Sequence, residues 1–174
     1  MQFEFSLELA RAIKQEGLHL ALDTCGMVAR ERLRELASLA DLILFDLKLS
    51  DEEAHRAATG VPLAPILAGA EMISAELSKP MWVRTPIIPG FTDGEENVLA
   101  IARFIHDRLP TVQRYDLLAF NNTCEAKYER LDMEWRLREQ ELVTLSHMEH
   151  LAEVARAQGL RQVAWSGATR REEE

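Results

Sequence analysis

Cysteine is scarce: Cys25 and Cys124 are the only two in 174 residues. That number excludes a disulfide-stapled scaffold and a four-thiolate metal site, and points to reduced thiols in an intracellular protein. No apolar run approaches the ~18 residues that a membrane helix needs, so no membrane partner is expected. The opening, MQFEFSLE, is polar. It shows neither the apolar stretch of a secretory signal nor the basic pattern of a transit segment, and a cytoplasmic location is the expectation. Positive charge is in deficit as well, with 20 Lys and Arg against 29 Asp and Glu, a net charge of −9. The basic residues are scattered rather than blocked. Such a chain has no long-range attraction to phosphate backbones or anionic lipid, so nucleic acid is not an expected partner.

What is present is a regular alternation of short apolar runs and helical segments. Strands are expected at 18–24, 42–48, 81–85, 115–120 and 161–166. Helices are expected at 6–16, 30–39, 52–59, 66–77, 95–108 and 144–159, with Asp93 or Gly94 capping the fifth. Apolar strands separated by amphipathic helices specify βα units with right-handed crossovers, an α/β fold. A closed eight-strand barrel takes about 250 residues, so the expectation is an incomplete parallel β/α barrel or an open parallel sheet. Residues 1–174 read as a single partial-barrel domain, with 171–174 a charged tail. The segment PIIPG is expected to leave regular pairing because Pro86 and Pro89 have no N–H to donate. Residues 123–140 read as a charged loop with short helical pieces.

Four of these strands end in polar groups: Asp23-Thr24, Asp46-Leu47-Lys48, Arg84-Thr85 and Phe120-Asn121-Asn122. Carboxyl ends of parallel strands share one rim, where ligand crevices form. Two carboxylates, two cations and an amide therefore gather there, a set suited to a zwitterionic amino-acid ligand. Arg84 can hold a carboxylate through a bidentate fork. The plainer alternative is that Asp46 and Lys48 cap loops or pair with each other. Lys48 as a Schiff-base nucleophile is a further alternative, disfavoured by neighbouring carboxylates that keep it protonated. His147 and His150 read as a solvated helix edge, Gly90–Gly94 as a tight turn, and Cys25 as a small buried thiol.

At LALDTCGM, ILFDLK, WVRTPIIPGFTD and YDLLAFNNT, in that order and spacing, the chain resembles the glycyl-radical-enzyme activating proteins. These are the pyruvate formate-lyase activase group of the radical S-adenosylmethionine superfamily. The resemblance runs from about Phe5 through Leu160, and AKYERLDMEW continues it. It implies a partial β/α barrel that binds S-adenosylmethionine and a [4Fe-4S] cluster. It also implies reductive cleavage of the cofactor and hydrogen abstraction from the glycine of a partner glycyl-radical enzyme, with reduced flavodoxin or ferredoxin as electron source for a complete form. Carried over residue by residue, Asp23 and Thr24 fall at the strand-end pair near the cofactor carboxylate and a monovalent-cation site. Asp46 is the second carboxylate of that site, Lys48 the lysine of the Asp-Leu-Lys motif, and Arg84 the arginine near the methionine portion. Asn121 stands where pyruvate formate-lyase activase has a histidine.

The activase pattern also begins with Cys-x-x-x-Cys-x-x-Cys and a following Gly-Gly-Glu-Pro segment, and neither occurs here. Cys25 and Cys124 cannot replace three thiolates by spacing. The resemblance thus implies the C-terminal portion of an activase lacking its first two β/α units, with no catalytic residue of its own, no cluster, and no activity alone. The strand at 18–24 is then expected to expose a pairing edge, which favours a homo-oligomer. Two alternatives are a noncatalytic small α/β binding or interaction protein and a Lys48-dependent lyase.

Overall fold

The computed structural model describes residues 2–171. Five strands, β1 (Ala21–Thr24), β2 (Leu42–Asp46), β3 (Met81–Ile87), β4 (Val112–Ala119) and β5 (Val163–Ser166), form one sheet. Every pairing is parallel, and the spatial order is β1-β2-β3-β4-β5. Helix α1 (Phe3–Gln15) precedes β1, and between the strands lie α2 (Arg30–Leu39), α3 (Glu52–Thr59), α4 (Ala64–Glu71), α5 (Glu95–Arg108), α6 (Glu125–Arg130) and α7 (Leu145–Arg156). Among the described residues no single helix is long and apolar enough to cross a membrane.

The helix bounds follow local chemistry. The Asp51 carboxylate accepts the Ala54 N–H at 2.8 Å and caps α3, which stops at Gly60 in the left-handed conformation. Thr144 caps α7 by accepting the His147 N–H at 3.2 Å. Gly94, with no side-chain cap, precedes α5, and Asp93 instead accepts the Gly90 N–H.

Strand alternation sorts the sheet into two unlike faces. Ile43, Phe45, Met81, Val83, Ile87, Tyr115 and Leu117 are buried in one cluster with Leu33 and Ala37 of α2, Ile66 and Ala70 of α4, Val98 and Ile101 of α5, and Met148 and Leu151 of α7. The intervening residues of β2 and β3, Leu42, Leu44, Asp46, Trp82, Arg84 and Pro86, are only half-buried. All the main packing helices lie on one side of the sheet. The other side is left half-exposed, as in an incomplete parallel β/α barrel.

The structure corrects four expectations. The first strand starts at Ala21 rather than at 18. The expected 66–77 helix begins at Ala64 and winds into a π-helical turn over Met72–Glu76. Cys25 is half-buried rather than buried. Most informatively, β3 runs through Pro86 to Ile87, pairing with Leu118 and Ala119 of β4.

The backbone accounting explains how a proline is tolerated there. Arg84 O accepts the Leu47 N–H at 3.0 Å, so the even-numbered residues of β3 turn their backbone groups toward β2. In a parallel ladder the next donor, to Leu47 O, would be the N–H of residue 86, which proline lacks. The Thr85 hydroxyl donates to Leu47 O instead, at 2.6 Å, and in turn accepts from the buried Tyr115 hydroxyl at 3.0 Å. Burial pushes the Tyr115 phenol far above its ordinary range, and the bond to Thr85 offsets only part of that.

Candidate functional site

The carboxyl ends of β1, β2 and β3 bring four of the six sequence-predicted residues together. Register places Asp46 opposite Arg84. The Arg84 Nε donates to Asp46 Oδ1 at 2.9 Å, and its Nη2 donates both to Asp46 Oδ1 at 2.7 Å and to Asp23 Oδ1 at 2.5 Å. Lys48 Nζ reaches the other Asp46 oxygen at 3.2 Å. The network is graded in exposure, from 19% for the Arg84 side chain to 61% for Asp23. Burial pulls the Arg84 pKa down, and hydrogen bonds and charge from Asp23 and Asp46 more than restore it, so the guanidinium stays charged.

Two carboxylates and two cations give the cluster no formal charge. It can exchange internal ion pairs for both ends of a zwitterion without leaving an unpaired charge behind.

Thr24 and Asn121 stand apart from this network. Strand alternation turns Thr24 to the helix-covered side, opposite Phe45, and its hydroxyl accepts the Gly26 N–H at 3.0 Å. The Arg84 guanidinium lies between the carboxylates of Asp23 and Asp46 and bonds both. Asn121 is exposed and closes its own turn, its Oδ1 accepting from the Thr123 N–H and hydroxyl at 3.3 and 2.5 Å.

Sequence reasoning missed two features. Asp116 of β4 pairs in register with Arg84 and is buried, with Arg114 Nε on its Oδ1 at 2.7 Å and the Arg114 guanidinium 4.8 Å over the Trp82 ring. Period-two alternation from Arg84 through its β4 neighbour would have found it. The second feature is a cavity of about 630 Å³ beside Asn121, lined by Pro86, Leu118, Phe120, Tyr128 and Trp135 among others. Tyr128 and Trp135 pack with ring centroids 4.6 Å apart, and the Trp135 indole N–H is buried without a hydrogen-bond partner.

Gly26 holds the loop after β1 in place. Its φ is +75°, and a Cβ there would lie 2.7 Å from Phe45 Cζ. Left-handed backbone and displacement of a core ring act together, so Gly26→Ala is expected to destabilise by about 2–4 kcal/mol. Chemical denaturation of the two proteins measures it, and a loss under about 1 kcal/mol would mean the ring moves aside at little cost.

The donor set does not fit a [4Fe-4S] cluster. The chain's only thiols, Cys25 and Cys124, follow β1 and precede α6. Among the described residues no group of three His, Cys, Asp or Glu is placed to hold a metal ion.

Comparison with known proteins places this geometry. The sequence pattern of the Radical SAM superfamily matches residues 1–103. The chain is 31% identical over 143 residues to the pyruvate formate-lyase-activating enzyme of Streptococcus mutans, covering 79% of this chain and 54% of that one. It is 38% identical over 135 residues to the isethionate sulfite-lyase activating enzyme of Desulfovibrio desulfuricans, covering 77% and 43%. The chain thus spans about half the length of these curated relatives. In fold it is similar to a crystallised domain of a pyruvate-formate lyase-activating enzyme from Bacteroides vulgatus, with a TM-score of 0.77 at 22% identity over 95% of this chain and 91% of that one.

Proposed function

The chain belongs to the radical SAM superfamily, as a pyruvate formate-lyase-activase-like member without the typical cluster-binding cysteines, and from this we propose that it is the cofactor-holding portion of a glycyl-radical-enzyme activase. Its rim binds S-adenosylmethionine, and the chain alone does not turn it over. The observation that carries this reading is the placement of Arg84 and Pro86 on one face of β3. Residues two apart on a strand are about 7 Å apart, so the charged cluster around Arg84 adjoins the aromatic-walled cavity that Pro86 lines. A ligand with an amino-acid end and a flat nucleoside end fits both at once.

Each residue then has a task. Arg84 and Lys48 hold the carboxylate of the methionyl group, and Asp23 and Asp46 take its ammonium. The Asp46–Lys48 and Asp23–Arg84 pairs open as the ligand's charges replace them. The wall of Phe120, Tyr128 and Trp135 receives the nucleoside and excludes water. Bound there, S-adenosylmethionine would supply a reductively cleavable carbon–sulfur bond. This chain's residues bind and orient it but hold no electron donor.

Calorimetry with S-adenosylmethionine tests the binding half, and anaerobic iron–sulfide reconstitution followed by assay of reductant-dependent 5'-deoxyadenosine tests the other. The expected result is binding without turnover. Absence of binding by the folded protein would defeat the cofactor reading. Sustained turnover by this chain alone would defeat the claim of inactivity.

A further inference from the structure

We infer that Asn97, in the first turn of α5, is a positioning residue for Lys48: it fixes the segment that carries the Lys48 ammonium to the rim. The inference rests on the proposed role of Lys48 toward the cofactor carboxylate, and deepens it.

β2 ends at Asp46, and α3 begins behind its Asp51 cap. Leu47, just past the strand, is still held on both sides. Its N–H bonds Arg84 O, and its carbonyl accepts the Thr85 hydroxyl. Residues 48–50 belong to neither element, and among the described residues their backbone makes no hydrogen bond to another backbone group.

The Asn97 carboxamide takes the place of those bonds. Its Nδ2 donates to Lys48 O at 3.1 Å, and its Oδ1 accepts from the Ser50 N–H at 2.8 Å and the Ser50 hydroxyl at 3.1 Å. The second Nδ2 hydrogen goes to Thr92 O, also at 3.1 Å. A carboxamide carries two N–H donors and an oxygen with two lone pairs, so the group is fully used. Two carbonyls on one side and an N–H on the other also fix which end is nitrogen and which is oxygen.

The turn from which Asn97 reaches is itself closed. Thr92 is buried, and its N–H bonds Ile88 O at 3.0 Å. Its hydroxyl accepts the Ile88 N–H at 2.8 Å and donates to Pro86 O. Asn97 therefore ties a segment without backbone bonds to a firm turn and a helix. Burial of Leu49 keeps that segment against the core, but an apolar contact has no direction. The bonds at Lys48 O and Ser50 N–H orient the peptide planes on either side of it.

Lys48 needs such a hold because its own side chain supplies little. That side chain is 36% exposed, and among the described residues its ammonium bonds only Asp46, at 3.2 Å. A flexible four-carbon stem goes where its Cα–Cβ bond points it, and Asn97 sets that direction through the Lys48 carbonyl. A lysine held in this way has less freedom to lose when a carboxylate arrives.

The test is calorimetry with S-adenosylmethionine on wild type, Asn97→Ala, Lys48→Met and the double variant, each as the full chain. Asn97→Ala is expected to weaken binding by about 3–10-fold, the ordering of one rotamer-rich side chain. It should also speed hydrogen exchange at the Ser50 amide. In the Lys48→Met background no ammonium is left to place, and the same change should weaken binding by less than about twofold.

A residue that only holds the site together would show its full loss in both backgrounds, and that result overturns the inference. So does unchanged affinity in a folded Asn97→Ala protein. Asn97→Asp replaces it if the alanine variant does not fold. The carboxylate keeps an acceptor for Ser50 and suits the first turn of a helix, yet has no donor for Lys48 O, so the same dependence on Lys48 is expected. Failure of wild type to bind would defeat the cofactor reading instead. The Ser50 amide then decides by itself: faster exchange in Asn97→Ala supports the hold on 48–50, and unaltered exchange overturns it.

Discussion

Thr85→Val is expected to lower stability by about 2–6 kcal/mol, because it strands two buried polar groups at about 1–3 kcal/mol each. The Leu47 carbonyl loses the hydroxyl that replaces the missing Pro86 N–H, and the Tyr115 hydroxyl loses its acceptor. At roughly 2–4 °C per kcal/mol for a chain of this size, the melting temperature should fall by about 4–24 °C. Tyr115→Phe alone removes one neutral hydrogen bond, at about 1 kcal/mol, and leaves Thr85 bonded to Leu47. In the double variant the tyrosine hydroxyl is gone, so part of the Thr85→Val loss should be recovered. What remains reports the orphaned carbonyl. Equal stability of wild type and Thr85→Val would show that some other donor reaches Leu47 O.

Arg84→Gln is expected to reduce affinity for S-adenosylmethionine by about 10–100-fold, the loss of charge-assisted hydrogen bonds at about 1.5–3 kcal/mol. The same change leaves Asp23 and Asp46 facing each other without the guanidinium that now bonds both. Arg84→Lys keeps the charge but not the fork, and should recover only part of the affinity. Calorimetry on the three proteins, alongside their melting temperatures, separates binding from folding. Unchanged affinity in a folded Arg84→Gln protein would move the cofactor's carboxylate away from this rim.

Much of the fold is legible because its signals are local. α2, α3 and α5 fall at 30–39, 52–59 and 95–108, the spans their apolar spacing and flanking residues mark. Asp51 and Gly60 bracket α3 by capping chemistry that needs no tertiary contact. Pro86 is the counterexample. Whether its missing donor matters depends on whether a neighbour needs it, and Leu47 O is served by a threonine from the same strand.

The site divides along the same line. That Asp23, Asp46, Lys48 and Arg84 share a rim follows from topology. That Asp46 lies opposite Arg84, and that Thr24 turns away to accept the Gly26 N–H, is a matter of register. Asp116 escaped notice because it sits mid-strand in YDLLAF, where an acidic residue without a strand-end position carries no signal of its own. The aromatic cavity depends on Tyr128 and Trp135 folding back over Phe120 from a segment without strong periodicity.

The strand order has a consequence for synthesis. Position along the chain and position across the sheet are the same sequence, from β1 to β5. Among the described strands, each one made after β1 therefore meets the one made just before it, and none must insert between two that have already paired. Contacts close over short stretches of chain, which keeps the entropy of loop closure small at every step. Assembly can advance in one direction at the pace of translation, and unravelling can begin at either margin while the middle three strands remain paired.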